Sequence, residues 1–394
     1  MKDNHSTENK IARRGAFTLL AAVALAAAFL SGYGTRFMQG RDQPGGFALL
    51  SQARGIVQEN FYGEMPGDTQ FEYGMIRGML AALDDPYTTF SEPREAELDA
   101  DRLSGSFGGI GARISKNEEG QFILTPLENH AAIRAGILTD DELLAIDGDP
   151  VSAESTLDEV VAQIRGEIGV RVTLTIRSGG AAPRDVTIIR AQIELPSVSW
   201  RPLEQDTTIG VLDIERFSDR TAGEAEAGIE ALLEAGVTRL ILDLRGNGGG
   251  LLQASVDVAD LFLDGGVIVY QASRDKTEES FRAGGQGVAQ QMPLAVLVDS
   301  GSASAAEIVA SALQDRGRAA LIGNKTFGKG SVQLIFSLAD DSSLRVTNAR
   351  WLTPDRRPLD REGITPDIVV EPAAQPIEND PVLARAVAFL NEHP

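Results

Sequence analysis

Apolar and polar positions change period several times along the 394 residues, and each change marks an element. Gly15 to Gly32 (GAFTLLAAVALAAAFLSG) holds no charge at all, and about 18 apolar residues are enough to cross a hydrocarbon core. From Asp42 to about Glu92 the spacing is helical, with Phe47, Leu50, Ala53 and Val57, then Met75, Met79 and Leu80, until Asp84-Asp85-Pro86-Tyr87 breaks it. Between Leu103 and Arg190 the period shortens to that of strands, expected at Ala112–Ser115, Phe122–Pro126, Glu142–Ile146, Val170–Ile176 and Asp185–Ile189. One helix, Leu157–Ile164, interrupts them, with Val160, Val161 and Ile164 apolar.

After a linker around Pro196–Pro202, strands at Thr208–Ile214 and Arg239–Leu244 flank a helix, Ala222–Ala235. That βαβ order implies parallel strands. A glycine run, Gly246-Asn247-Gly248-Gly249-Gly250, then feeds a helix at Leu251–Leu261. The run Leu294–Val298 reads as a buried strand, followed by a turn and a helix entered through Ser302-Ala303-Ser304 and continuing to about Gln314. Glu307, three residues after Ser304, completes a capping box. A short strand, Ala319–Ile322, leads to a glycine-rich loop with Lys329, and Ser331–Leu338 alternates as a strand. The fold class expected is α/β multidomain.

Composition removes several chemistries. There is no cysteine, so thiolate nucleophiles and thiolate metal sites are excluded. The three histidines, His5, His130 and His393, are poorly placed to serve a triad with the Leu294–Gln333 stretch. A net charge of −21 argues against nucleic acid as a partner. Residues 1–14 carry Lys2, Lys10, Arg13 and Arg14 against Asp3 and Glu8, a balance of four minus two. That positive flank places the N-terminus in the cytoplasm and makes 15–34 a signal anchor. The rest of the chain then lies on the extracytoplasmic side, in the periplasm or at the cell exterior. A cleaved, secreted form is the alternative, although Ser31-Gly32-Tyr33-Gly34 is a poor small-x-small site.

A serine at the mouth of a helix gains from N–H groups that suit a developing oxyanion. With no histidine to serve it, a lysine on the following loop is the candidate base, if burial lowers its pKa. In the Leu103–Arg190 unit, the loop Phe107-Gly108-Gly109-Ile110-Gly111 feeds an edge strand opposite a helix, an arrangement that captures peptide carboxylates. That loop, AIRAGILTDDELLAIDGDPV and IRGEIGVRVTLTI together resemble a PDZ domain, a small β-barrel with helices.

With LDLRGNGGGLL and GSASAAEIVASALQDRGRAALIGNKTFGKGSVQ added, the chain resembles the C-terminal processing peptidases, or tail-specific proteases. The resemblance implies a helical N-terminal region (35–100), a PDZ domain (101–190), a crotonase-like α/β protease core (191–371) and a helical tail (372–394). It implies a serine endopeptidase that cleaves exported proteins near their C-termini through an acyl-enzyme. Ser304 matches the nucleophile, Lys329 the general base and Gln333 the residue that orients the lysine. The oxyanion hole falls to the N–H groups of Ala305 and Gly249. Asp315 matches a supporting acidic position and Arg165 one that couples the PDZ domain to the active site.

The implied partners are substrate C-terminal tails and, through the anchor, a membrane. The helical region is suited to packing or homodimerisation, and no metal or other cofactor is expected. Two departures stand out. Asn247-Gly248-Gly249-Gly250 replaces the usual Asn-Pro-Gly-Gly, and Leu352–Pro358 lacks the usual glycine turn.

Rival readings are weaker. Gly323 to Lys329 satisfies the start of a phosphate-binding loop, but Gly330 stands where that motif needs Ser or Thr, and a strand rather than a helix follows. A catalytically silent peptide-binding scaffold would not need Ser304, Lys329 and Gln333 together. A metallohydrolase would lack histidine ligands.

Overall fold

The computed structural model describes residues 47–275, 277–370 and 380–393. The expected cytoplasmic segment 1–14 and anchor 15–34 lie outside them. No helix among the described residues is long and apolar enough to cross a membrane. The described residues fall into two units, divided between residues 74 and 75. The first contains the helix Ala48–Asn60 and the start of a second, Asp68–Ala81, in the region where the apolar spacing predicts helices.

The second unit begins its domain structure with a helix at Pro93–Ser104. Proline at its first turn and Gly105 in the left-handed conformation (φ 71°) mark its two ends. The small domain that follows is a sheet in the order Ala112–Lys116, Phe122–Pro126, Asp141–Ile146, Arg171–Arg177, Arg184–Ile189. Leu124, Val172, Leu174 and Ile176 fill its core with Val160 and Ile164 from the helix Leu157–Ile164. Thr156 and Glu159 close a capping box at that helix's start, at 2.8 and 3.2 Å.

Two boundaries differ from expectation. Ala191–Glu194 pairs antiparallel with Ser106–Gly109, so the small domain keeps the chain past residue 190. The stretch read as a linker is instead a strand, Val198–Leu203, antiparallel to Asp206–Ile214. Pro202 within it and Pro196 before it disguise it, yet it is the edge strand of the sheet, where a missing N–H leaves no partner unsatisfied.

The large domain is built on that six-stranded sheet, which continues as Asp206–Ile214, Arg239–Asp243, Leu294–Val298, Ala320–Gly323 and Ile368–Val369, all parallel. Helices Thr221–Glu234, Leu252–Asp260 and Ala305–Asp315 contribute to the apolar cluster on one face. The helix Pro381–Glu392 covers the other with Val382, Ala386 and Leu390. Burial on both faces explains why Leu294–Val298 is apolar at every position.

A second sheet joins Thr89–Ser91, Ser343–Leu352, Gly266–Ser273, Glu278–Ala283 and Ser331–Ser337. Among the described residues, Ser331–Ser337 pairs only with Ser343–Leu352. Ligand sites in parallel α/β sheets lie beyond the carboxyl ends of the strands. Here the loops following Asp243 and Val298 are tied together at that end. Ala303 N–H donates to Asn247 O (2.9 Å), and Gly246 N–H donates to Asp299 Oδ1 (2.9 Å).

Candidate active site

Ser304 stands at the start of the helix Ala305–Asp315 with φ 53° and ψ −113°, a left-handed backbone on a residue with a side chain. Such conformations cost about 1–3 kcal/mol and persist where surrounding structure enforces them. The enforcement is visible. Glu307, fully buried, accepts the N–H of Ser304 at 2.9 Å. The same carboxylate accepts Thr326 Oγ1–H (2.5 Å), Gly328 N–H (2.7 Å) and Lys329 N–H (2.9 Å). One anion thus binds the turn of Ser304 to the loop of Lys329, and four donors compensate its burial.

Ser304, Lys329, Gln333 and Gly249 line one cleft of about 740 Å³. Burial, and after it the positive charge of Arg345, hold the Lys329 amine below the ordinary lysine value of 10.5. Its Nζ lies 5.2 Å from the centre of the Tyr87 ring. In this conformation both groups line the cleft, and no hydrogen bond joins Nζ to Ser304 Oγ. Ser302, the rival serine, is fully buried and donates to Leu244 O at 2.8 Å, so its hydroxyl serves the fold.

The glycine loop packs directly on Ser304. A Cβ at Gly249 (φ 101°) would stand 2.8 Å from the Ser304 Cβ, and one at Gly250 (φ 149°) would stand 1.9 Å from Phe217 O. Only glycine allows that approach. The N–H of Ala305, first in its helix, has no acceptor among the described residues, as expected of a helix start. The N–H of Gly249 differs. It donates to Asn247 Oδ1 at 2.8 Å and is already engaged in this conformation. Asn247 is itself buried and anchored by donation to Ile214 O at 2.7 Å.

Gln333 donates to Ser331 Oγ at 2.7 Å, two residues back along its strand. Asp315 lies at the far end of its eleven-residue helix, about 16 Å from Ser304 along the axis. There it pairs with Arg357 and accepts the N–H of Asp355 at 3.1 Å. Its position identifies it as the anchor of the Thr353–Arg357 turn.

In the small domain, the Arg165 guanidinium lies 3.9 Å above the Phe107 ring and pairs with Asp101 at 3.1 Å. Phe107, Gly108 and Arg165 line a hollow of about 380 Å³. Gly109, Ile110 and Gly111 do not line it. Ile110 belongs to the apolar core, and Gly111 packs on His130.

The model of peptidase family S41 matches residues 208–370, and the PDZ domain model matches 102–177. The carboxyl-terminal-processing protease of Synechocystis sp. is 40% identical over 321 residues, covering 80% of this chain and 75% of that protein. The chain belongs to the C-terminal processing peptidases of family S41.

The carboxy-terminal-processing protease of Bartonella bacilliformis is 38% identical over 316 residues, 79% of this chain and 72% of that protein. The solved photosystem II D1 C-terminal processing protease is 31% identical with a TM-score of 0.48, over 82% of this chain and 87% of that one. As a member of the family, this peptidase combines a PDZ domain with an α/β protease core.

Three residues that matter to the cleft were not singled out in the sequence. Tyr87 and Arg345 come from separate segments and carry no local motif, while Asn247 stood in the glycine motif without its side-chain role being legible. Glu307 did carry a signal, its capping-box spacing, but only for half of its role.

Proposed function

We propose that this peptidase hydrolyses protein substrates near their C-termini through a Ser304–Lys329 dyad. The observation that carries the reading is the Glu307 carboxylate, which organises the turn of one and the loop of the other within a single cleft. Neutral Lys329 removes the Ser304 hydroxyl proton as Oγ attacks the scissile carbonyl. The oxyanion gathers on the Ala305 N–H and on an N–H of the Gly248–Gly250 loop. Lys329 then returns the proton to the leaving amine, and water hydrolyses the ester. Gln333 orients the lysine once its amide turns from Ser331.

The PDZ domain holds the substrate tail. The uncharged Gly15–Gly32 run supports an extracytoplasmic enzyme anchored by its N-terminus. The lowered pKa of Lys329 supports its role as a base. The test is cleavage of an unfolded protein with a free C-terminal tail, comparing wild type with Ser304→Ala and Lys329→Ala. Cleavage by the wild type alone supports the dyad, and equal cleavage by all three removes it.

A further inference from the structure

The cleft holds more positive charge than the dyad uses. Beside Lys329, which acts as a neutral amine, Arg102, Arg216 and Arg345 line it against two carboxylates, Asp99 and Asp219. The chain as a whole carries a formal charge of −21. A local cationic excess on so acidic a body favours an anionic ligand at that place.

The three arginines are not equally occupied. Arg345 pairs with Asp99 at 2.7 Å, while Arg102 reaches Asp99 only at 3.9 Å and is largely exposed. Among the described residues, the carboxylate that Arg216 meets is the solvent-exposed one of its neighbour Glu215, at 3.3 Å. Its Nη1 is buried and has no hydrogen-bond acceptor among the described residues.

The backbone of Arg216 is nonetheless fixed beside the reacting atoms. Its carbonyl accepts Thr221 Oγ1–H at 3.1 Å. The next residue, Phe217, donates to Gly249 O at 3.0 Å and accepts from Leu251 N–H at 2.8 Å. Gly249 in turn packs on Ser304. A lightly held guanidinium therefore sits on a rigid support one residue from the glycine loop. Turning it into the cleft breaks no strong bond and gives an unsatisfied donor an acceptor. Its planar fork suits a carboxylate.

We propose that Arg216, assisted by Arg102, forms an anion subsite that binds a substrate carboxylate close to the scissile bond. This rests on the peptidase reading above and adds a substrate preference to it. The carboxylate comes either from an Asp or Glu side chain or from the substrate's own C-terminus.

The experiment uses the full chain and a peptide series derived from one cleaved sequence. Positions flanking the cut carry Asp, Asn or Lys in turn, each peptide made with a free or an amidated C-terminus. Wild type is expected to favour one carboxylate over its amide by about five- to tenfold in kcat/KM at low salt, with the ratio shrinking as salt rises. An Asp-over-Asn ratio identifies a side chain, and a free-over-amidated ratio identifies the terminus.

Arg216→Gln is expected to bring the ratio towards one, Arg216→Lys to keep part of it, and Arg216→Glu to turn it towards Lys, which a misfolded variant cannot do. The same ratios read as Kd on Ser304→Ala report the subsite without cleavage. A wild-type ratio of one in both readouts, or an unchanged ratio in Arg216→Gln and Arg216→Glu, overturns the proposal. Loss of cleavage with the Kd ratio intact would instead count against the peptidase reading alone.

Discussion

Glu307 accepts the backbone N–H of Lys329 at 2.9 Å, although the two residues lie 22 positions apart. Its other donors include the N–H of Ser304, so positioning of both members of the proposed dyad depends on one buried carboxylate. Glu307→Gln keeps the shape but replaces one acceptor oxygen with a donor facing N–H groups. Such a mismatch costs about 1–3 kcal/mol for each buried donor left unsatisfied. The variant should show a lower Tm and a kcat reduced by about tenfold or more, because displaced reacting groups lose rate steeply. Unchanged thermal unfolding and unchanged turnover would refute the hub role.

Gly249→Ala should separate activity from folding differently. The added methyl would lie 2.8 Å from the Ser304 Cβ and 2.9 Å from Ala303 O, at φ 101°. A loss of about a hundredfold in kcat is expected if the loop shifts the oxyanion donors, by analogy with the removal of one such donor. Steady-state kinetics on the folded variant measures it; a kcat within twofold of wild type would contradict the packing.

The depressed Lys329 pKa predicts a pH profile. Activity should rise as the amine deprotonates and level off above its folded pKa, itself below 10.5. Arg345 contributes to that depression after burial, so Arg345→Gln should move the rising limb to higher pH. Pre-steady-state acylation rates from pH 5 to 10 give the comparison, and an identical limb in both proteins would remove Arg345 from the account.

The same shift has a sign for stability. The fold disfavours protonated Lys329, so the penalty is fully present below the folded pKa and fades as pH rises towards 10.5. Lys329→Met should therefore gain stability over wild type at neutral pH, with the gain shrinking at alkaline pH. Denaturant midpoints at pH 7 and pH 10 test the direction.

Local patterns revealed much of this molecule. The helix Leu157–Ile164 is bounded as its apolar spacing indicates, and the all-apolar Leu294–Val298 is a strand buried on both faces. Val198–Leu203 was obscured because proline suppresses a strand reading except at an edge, and edge position is a property of the whole sheet. The cleft was legible in Ser304 and Lys329, whose motif is continuous. Tyr87 and Arg345 were not, since only tertiary pairing of Thr89–Ser91 with Ser343–Leu352 brings those segments together. Nor could spacing show that the Gly249 N–H is taken by Asn247, which depends on a side-chain rotamer.

The most direct test of the central claim is acid trapping of the reaction within the first turnover, followed by peptide mapping of the enzyme. The account predicts a substrate-derived acyl ester on Ser304, absent from Ser304→Ala and accumulating more slowly in Lys329→Ala. An ester on another residue, or substrate cleavage without any covalent adduct in a burst-competent reaction, would contradict it.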